Sequence, residues 1–494
     1  MGQDHILVID EGTTSTRAIV YDQAFEERAV AQEELGLSYP KDGWVEQDGE
    51  EIWLKTRAAC RRAIEKIGGA DRLAAIGIAN QRETTLIWDR STGQPIAPAI
   101  VWQDRRTADK CEHLVAAGAE DDVQRETGLL LDPYFSATKI SWLLDHTPGA
   151  RARAEAGELA FGTVDAFLIW KLTGGRVHVT DATNASRTLL YRLDLGEARG
   201  WSPAMLDLFD SPQSLLPEVC TSAAPYGETD PAVFGRALPI LSAIGDQQAA
   251  LVGQGCISTG TAKITYGTGA FLVANTGDVR PVSQNRLLST IGYEAAGEGA
   301  FALEGSIFNA GTVVKWFRDD LGLIASAAAS EAAAASLDGN GGVYFVPAFT
   351  GLGAPHWRAD ARGELTGLTR AATRAHIVRA GLEAAAYQTL DLLEAFEADG
   401  APVSMLRVDG GMVGNDWLMQ FLADICDLPV ERPDYQEMTA LGAAALAGME
   451  LGWTSLEAWG RRETPGRRFE PAMRTSRREA NLAGWRAAID KALR

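Results

Sequence analysis

Short apolar runs alternate with longer amphipathic stretches along the chain. Runs bounded by turn-forming residues at 6–9, 75–79, 239–244, 263–266, 343–347 and 406–408 predict buried strands. Between them, 51–66, 137–144, 371–397 and 417–426 carry apolar residues at three- and four-residue spacing and predict helices. Strands alternating with helices define the α/β class. The Ala-rich stretch 324–336 reads as a surface helix by propensity, with Asp338-Gly339-Asn340-Gly341 closing it.

One pattern occurs twice. Ile6-Leu7-Val8-Ile9-Asp10-Glu11-Gly12-Thr13-Thr14-Ser15 is echoed by Lys263-Ile264-Thr265-Tyr266-Gly267-Thr268-Gly269-Ala270-Phe271-Leu272, each a strand, a small polar turn and a second strand. Two such hairpins suggest two lobes of similar construction facing one cleft, residues 1–252 and 253–494, divided near Gly253-Gln254-Gly255. A chance recurrence of Gly-Thr turns is the alternative.

At 494 residues the chain exceeds one core, and domains of about 150 residues suggest two to four. A hydrophobic share of 46% with 23% charged residues excludes disordered, fibrous and membrane classes. The 46 basic against 66 acidic residues leave a net charge of −20, a field that repels nucleic acid and anionic lipid. A phosphorylated ligand stays open, because local backbone N–H groups and a divalent cation act regardless of the global sign. Five scattered cysteines without a C-x-x-C pair exclude a disulfide framework or zinc knuckle, and the six histidines form no H-E-x-x-H. With no basic leader and no run of 18 apolar residues, the expected compartment is the cytoplasm, without integral membrane association.

Five segments could carry chemistry. In Asp10-Glu11-Gly12-Thr13-Thr14-Ser15-Thr16-Arg17, glycine lets backbone approach a phosphate, hydroxyls and N–H groups donate, Asp10 could hold Mg²⁺ through water, and Arg17 adds a cation. A plain hairpin fits it equally well. Gly267-Thr268-Gly269 is a second phosphate-sized turn, and Val408-Asp409-Gly410-Gly411 ends a strand before a helix whose first N–H groups could face a nucleotide. No Walker A motif occurs. Asn80-Gln81-Arg82-Glu83-Thr84-Thr85 and Trp102-Gln103-Asp104-Arg105-Arg106-Thr107 offer paired donors and acceptors for vicinal hydroxyls, with Trp102, Tyr134 and Phe271 as apolar walls. A surface salt-bridge cluster is the plainer explanation. Asp246, in Ile244-Gly245-Asp246-Gln247-Gln248, could take a hydroxyl proton during phosphoryl transfer or simply cap a helix.

Together these segments, with Tyr134-Phe135-Ser136-Ala137-Thr138-Lys139-Ile140-Ser141-Trp142 and Thr439-Ala440-Leu441-Gly442-Ala443-Ala444, resemble the FGGY carbohydrate kinases over nearly the whole chain. The resemblance implies the actin-like ATPase fold, two RNase H-like lobes around a central catalytic cleft, and ATP-dependent phosphorylation of glycerol to sn-glycerol 3-phosphate. Carried over by position, Arg82, Glu83, Tyr134, Asp246 and Gln247 bind glycerol hydroxyls, Trp102 and Phe271 form the wall, and Asp246 is the general base. Thr13, Thr14, Ser15, Arg17 and Thr268 meet the ATP phosphates; Gly311, Gly411 and Asn415 shape the nucleotide site; Asp10 lies near Mg²⁺. A homo-oligomer, dimer or tetramer, is implied by analogy. A kinase of another polyol or ketose shares this cradle, and a non-kinase ATPase of the same superfamily is the rival of another class. Glu11 replaces a frequent Gln and is expected to add negative charge near the phosphates. Lys315 also departs from the family pattern, so no nucleotide contact is carried over to it. Residues 229–237 lack both the Gly-Gly-Lys-Gly-Gly-Thr-Arg loop for fructose 1,6-bisphosphate and the phosphorylatable His of other members, so neither regulation is carried over.

Overall fold

The computed structural model describes residues 2–193, 199–358 and 360–494. Two sheets organise it. The first contains β1 (His5–Glu11), β2 (Ser15–Asp22), β3 (Glu27–Glu34), β4 (Leu73–Asn80) and β5 (Ile240–Gly245), in the order β5-β4-β1-β2-β3. The second contains β6 (Thr261–Tyr266), β7 (Ala270–Gly277), β8 (Leu288–Ala295), β9 (Glu298–Ile307), β10 (Met405–Asp409), β11 (Val430–Pro433) and β12 (Gly466–Phe469), in the order β8-β9-β7-β6-β10-β11-β12.

The two share a core plan. In each, a first strand pairs antiparallel with the second, the second antiparallel with a further strand (β3 in one, β9 in the other), and two later strands extend the first strand's other edge in parallel, one beyond the other. The echo between residues 6–15 and 263–272 therefore reflects repeated architecture: β1–β2 and β6–β7 occupy the same place in their sheets. Strands β8 and β12 extend the second sheet at its edges.

Strand alternation divides the first sheet into two faces. Leu7 and Ile9 pack with Ile52, Ala59 and Ala63 of α1 (Gly49–Lys66) and Phe167 of α3 (Val164–Leu172). Ile6 and Val8 pack on the opposite face with Leu441 and Ala444 of α8 (Met438–Glu450). That face also takes α4 (Asp246–Gly253), which follows β5 and leads towards the second sheet. Helices α4 and α8 cross so closely that a Cβ on Gly253 would meet the Met438 carbonyl at 1.9 Å, and one on Gly442 the Ala249 carbonyl at 1.9 Å. The small residues around Gly442 are thus a packing requirement. The second core gathers Ile264 and Val408 with Val313 of α5 (Gly311–Asp319), Leu382 of α6 (Arg374–Ala398) and Leu418 of α7 (Asp416–Cys426). Helix α2 (Ser136–His146) packs in a separate cluster with Phe135 and Leu131.

One expectation needs correction, and one strand forms apart from the main sheets. The predicted surface helix at 324–336 is helical only at Ala329–Ala335, and its Ser330 and Ala334 are buried. Ile324 is drawn into the core and the Ser326 side chain accepts from the Ala329 amide, so the chain turns before the helix starts. The strand at 343–347 forms as Tyr344–Val346 but pairs only with Glu364–Thr366, outside both main sheets. Among the described residues, no helix is long and apolar enough to cross a membrane.

Candidate functional site

Parallel pairing puts the strand ends in register. Asp10 lies beside Ala79, Glu11 beside Asn80, and Gly245 also beside Asn80, so β1, β4 and β5 deliver Asp10, the Gln81-Arg82-Glu83 turn and Asp246 to one edge. In the second sheet Thr265 is level with Asp409, which brings the Gly267-Thr268-Gly269 and Gly410-Gly411 turns together. The carboxyl ends of parallel strands are where open α/β sheets bind ligands.

The centre is a buried ionic quartet. Arg82 donates from Nη1 and Nη2 to the two Glu304 oxygens at 2.5 and 3.2 Å, and Arg187 donates from Nη2 to Glu304 at 2.9 Å and from Nε to Glu83 at 2.6 Å. All four side chains are almost completely buried. Glu304 comes from β9 of the second sheet and the other three from the first half of the chain, so the quartet joins the halves. Burial alone would raise the Glu304 carboxyl, but Arg187 and Arg82 hold it down at about 2. For Glu83 the balance is opposite: burial, only partly offset by Arg82 and Arg187, pushes it up.

Backbone strain aims Glu83. Its φ of 60° lies in the left-handed region, and the Thr84 amide donates back to the Arg82 carbonyl at 2.7 Å, a tight γ-turn that a β-carbon disfavours. The Thr85 and Ser136 hydroxyls donate to the Glu83 carbonyl at 2.9 and 3.0 Å and hold the turn. Such strain persists only when surrounding contacts over-determine it.

Asp246 opens α4, but Gly245 holds the capping position. One Asp246 oxygen accepts from the Gln247 amide at 2.7 Å and lies 3.4 Å from Arg82 Nε. The carboxylate is 30% exposed, in contrast to the sealed quartet behind it. A Cβ on Gly245 would come within 2.8 Å of the Arg82 chain, so this glycine lets Arg82 pass to Glu304. The aromatic wall assembles across the site: Trp102 meets Tyr134 edge-on at 5.6 Å and Phe271, from β7, at 6.3 Å.

The first phosphate-sized turn is firmly held. Gln47 donates to the Thr13 carbonyl at 2.7 Å and Gln81 to the Gly12 carbonyl at 3.2 Å. The Thr13 hydroxyl donates to Gln81 at 3.2 Å and accepts from the Trp102 indole at 2.9 Å, so its one proton is committed. The Thr13 side chain is thus engaged by the protein itself, while among the described residues no such bond holds the Thr14 and Ser15 hydroxyls. Arg17 is paired with Glu437 at 2.5 Å.

Glu11 is not at the phosphate turn. Strand alternation points it to the α1 face, where it accepts from Thr56 at 2.7 Å, and burial pushes it up to about 8. It is a buried group on the core side of β1, so the expectation that it adds charge beside the phosphate turn is overturned. Asp10, on the other face, is pushed up to about 7 by burial and by the Glu437 and Asp246 carboxylates, against Arg17. Asp10 offers one carboxylate at this edge, and Mg²⁺ takes one or two carboxylates with water and phosphate oxygens; among the described residues no group of three or more acidic, His or Cys side chains gathers to hold an ion by itself.

In the second half, α5 starts against its turn. The Thr312 amide and hydroxyl donate to the Thr268 carbonyl at 3.1 and 2.9 Å, and a Cβ on Gly311 would sit 2.4 Å from the Gly267 carbonyl. Gly411 is exposed, and a Cβ there would meet nothing. Asn415 caps α7 by accepting from the Leu418 amide at 2.9 Å. Thr268, Gly311, Gly411 and Asn415 all lie at the carboxyl-end edge of the second sheet.

Residues 5–253 match the N-terminal domain of the FGGY family of carbohydrate kinases, and 262–451 its C-terminal domain. The chain belongs to the FGGY family of carbohydrate kinases. It is 60% identical over 487 residues to a protein of Rhodospirillum centenum named glycerol kinase, covering 98% of this chain and 97% of that one. The solved glycerol kinase of Plasmodium falciparum with ADP superposes with a TM-score of 0.93 at 36% identity, covering 99% and 98% of the two chains. A xylulose kinase of Lactobacillus acidophilus, at 21% identity and a TM-score of 0.88 over 98% of this chain and 97% of that one, shares the fold.

Sequence reading of this FGGY chain missed Arg187, Glu304 and Lys263. Each carried a signal: a charged residue inside a run that otherwise reads as buried.

Proposed function

We propose that this FGGY kinase transfers the γ-phosphoryl group of ATP to glycerol, forming sn-glycerol 3-phosphate. The observation that carries the reading is the half-open Asp246 carboxylate, set between the Arg82–Glu83–Glu304–Arg187 quartet and the phosphate-sized turns. Full-length similarity to proteins named glycerol kinase supports glycerol as the acceptor.

Arg82 and the Gln247 amide donate to hydroxyl oxygens of the polyol, while Glu83 and Asp246 accept its hydroxyl protons. Tyr134, Trp102 and Phe271 cover the carbon chain. Asp246 takes the proton of the terminal hydroxyl as that oxygen bonds to the γ-phosphorus; the bond from phosphorus to the β,γ-bridging oxygen breaks and ADP leaves. Thr14, Ser15, the Thr13 backbone and Thr268 donate to the phosphates. A phosphate at the first turn also competes for Arg17, whose present partner is Glu437. Gly311, Gly411 and Asn415 shape the nucleotide end. Asp10 would hold Mg²⁺ through water, and the ion would supply charge neutralisation at the phosphates. Binding of a polyanion by a chain of charge −20 relies on these short-range groups.

The five unpaired thiols fit the reducing cytoplasm, where ATP is available, and we place the enzyme there as a homo-oligomer on the resemblance. ADP release over a panel of glycerol, erythritol, xylulose and other polyols tests the acceptor. Glycerol is expected to give the highest kcat/KM; a different preferred acceptor, or turnover indifferent to all of them, overturns it.

A further inference from the structure

Lys263 is the least expected charge in the site. It lies on β6 of the second sheet with its side chain fully buried, and among the described residues no carboxylate oxygen lies within ion-pair distance of it. Its ammonium hydrogen-bonds the side-chain oxygen of Gln247, on α4, and the Thr265 hydroxyl at 2.9 Å. Burial lowers it to about 8, against the attraction of Asp409 on β10 and Asp246 on α4, while Arg82 and Glu304 also face it.

An ammonium only donates, so the group it meets on Gln247 must be the amide oxygen. That choice fixes the amide: its NH₂ remains as the free donor end, on the residue next to the acceptor Asp246. A free glutamine could present either end, and the wrong one would set two acceptors against the same hydroxyl.

We propose that Lys263 is a positioning residue that locks the Gln247 amide with its donor end towards the polyol, so that a donor and an acceptor, Gln247 and Asp246, flank the reacting hydroxyl. Lys263 does not touch substrate in this role. The inference deepens the phosphorylation reading and rests on it.

A double-mutant cycle tests it, with glycerol-dependent ADP formation by the parent measured first; absence of that activity refutes the functional reading itself, separately from the role of Lys263. Lys263→Met is expected to raise the glycerol KM at least tenfold with a smaller change in the ATP KM. In a Gln247→Ala background the same change is expected to move the glycerol KM less than threefold, since no amide remains to orient. An equal effect in both backgrounds, or an unchanged KM in the single variant, overturns the proposal. Lys263→Arg, which keeps a donor-only cation, gives an independent reading should the methionine variant not fold. A glycerol KM within about fivefold of the parent supports the role, and a rise as large as that of Gln247→Ala overturns it.

Discussion

Replacing Glu304 by Gln tests the quartet most sharply, because this one carboxylate accepts from both buried arginines. The amide keeps the shape but removes the charge, leaving Arg82 and Arg187 to share Glu83 and the more exposed Asp246. Breaking a buried ion pair costs about 3–5 kcal/mol. The carboxyl's descent from an ordinary 4.5 to about 2 gives a similar figure, about 3 kcal/mol. The sign follows from linkage: a folded-state value below the unfolded one stabilises above about pH 4.5, and that contribution fades as pH falls towards 2. Chemical denaturation of parent and Glu304→Gln should therefore differ by about 3 kcal/mol at pH 7 and roughly half that at pH 3. In glycerol-dependent ADP formation, kcat/KM should fall at least tenfold, because Arg82 loses the anchor that aims it. A stability loss below about 1 kcal/mol at pH 7, or a gap independent of pH, would refute the reasoning.

Three further outcomes follow from the site. Asp246→Asn should lower kcat by about 10²–10⁴ with the glycerol KM within a few-fold, measured by steady-state kinetics. Glu11→Gln should leave the Mg²⁺ and ATP dependence of the rate within twofold and not lower the denaturation midpoint, since burial already favours the neutral carboxyl. Gly411→Ala adds a methyl that meets no protein atom, so thermal stability should hold while nucleotide affinity, followed by calorimetry with ADP, falls several-fold where a nucleotide occupies that space.

Much of the framework was legible because it is local. Hydrophobic runs marked β1, β4, β5, β6 and β10, and the repeated strand–turn–strand located the hairpins that open the two sheets. The aromatic wall of Trp102, Tyr134 and Phe271 was readable as a set, although its members join only across the site. What escaped depends on pairing over long separations: Arg82 finds Glu304 across 222 residues, and Arg187 finds Glu83 across 104. No spacing rule reaches that far; only the oddity of a Glu inside Phe301-Ala302-Leu303-Glu304-Gly305 hinted at it. Glu11 is a different failure, since strand alternation alone places it opposite Asp10 and on the core face. The Ala-rich stretch 324–336 shows tertiary packing overriding propensity, as Ile324 is buried in the core ahead of the short helix.

Phosphorus NMR of the products formed from ATP and glycerol tests the central claim most directly. The account predicts one sn-glycerol 3-phosphate for each ADP and negligible inorganic phosphate; inorganic phosphate matching ADP, with the glycerol unchanged, would contradict it.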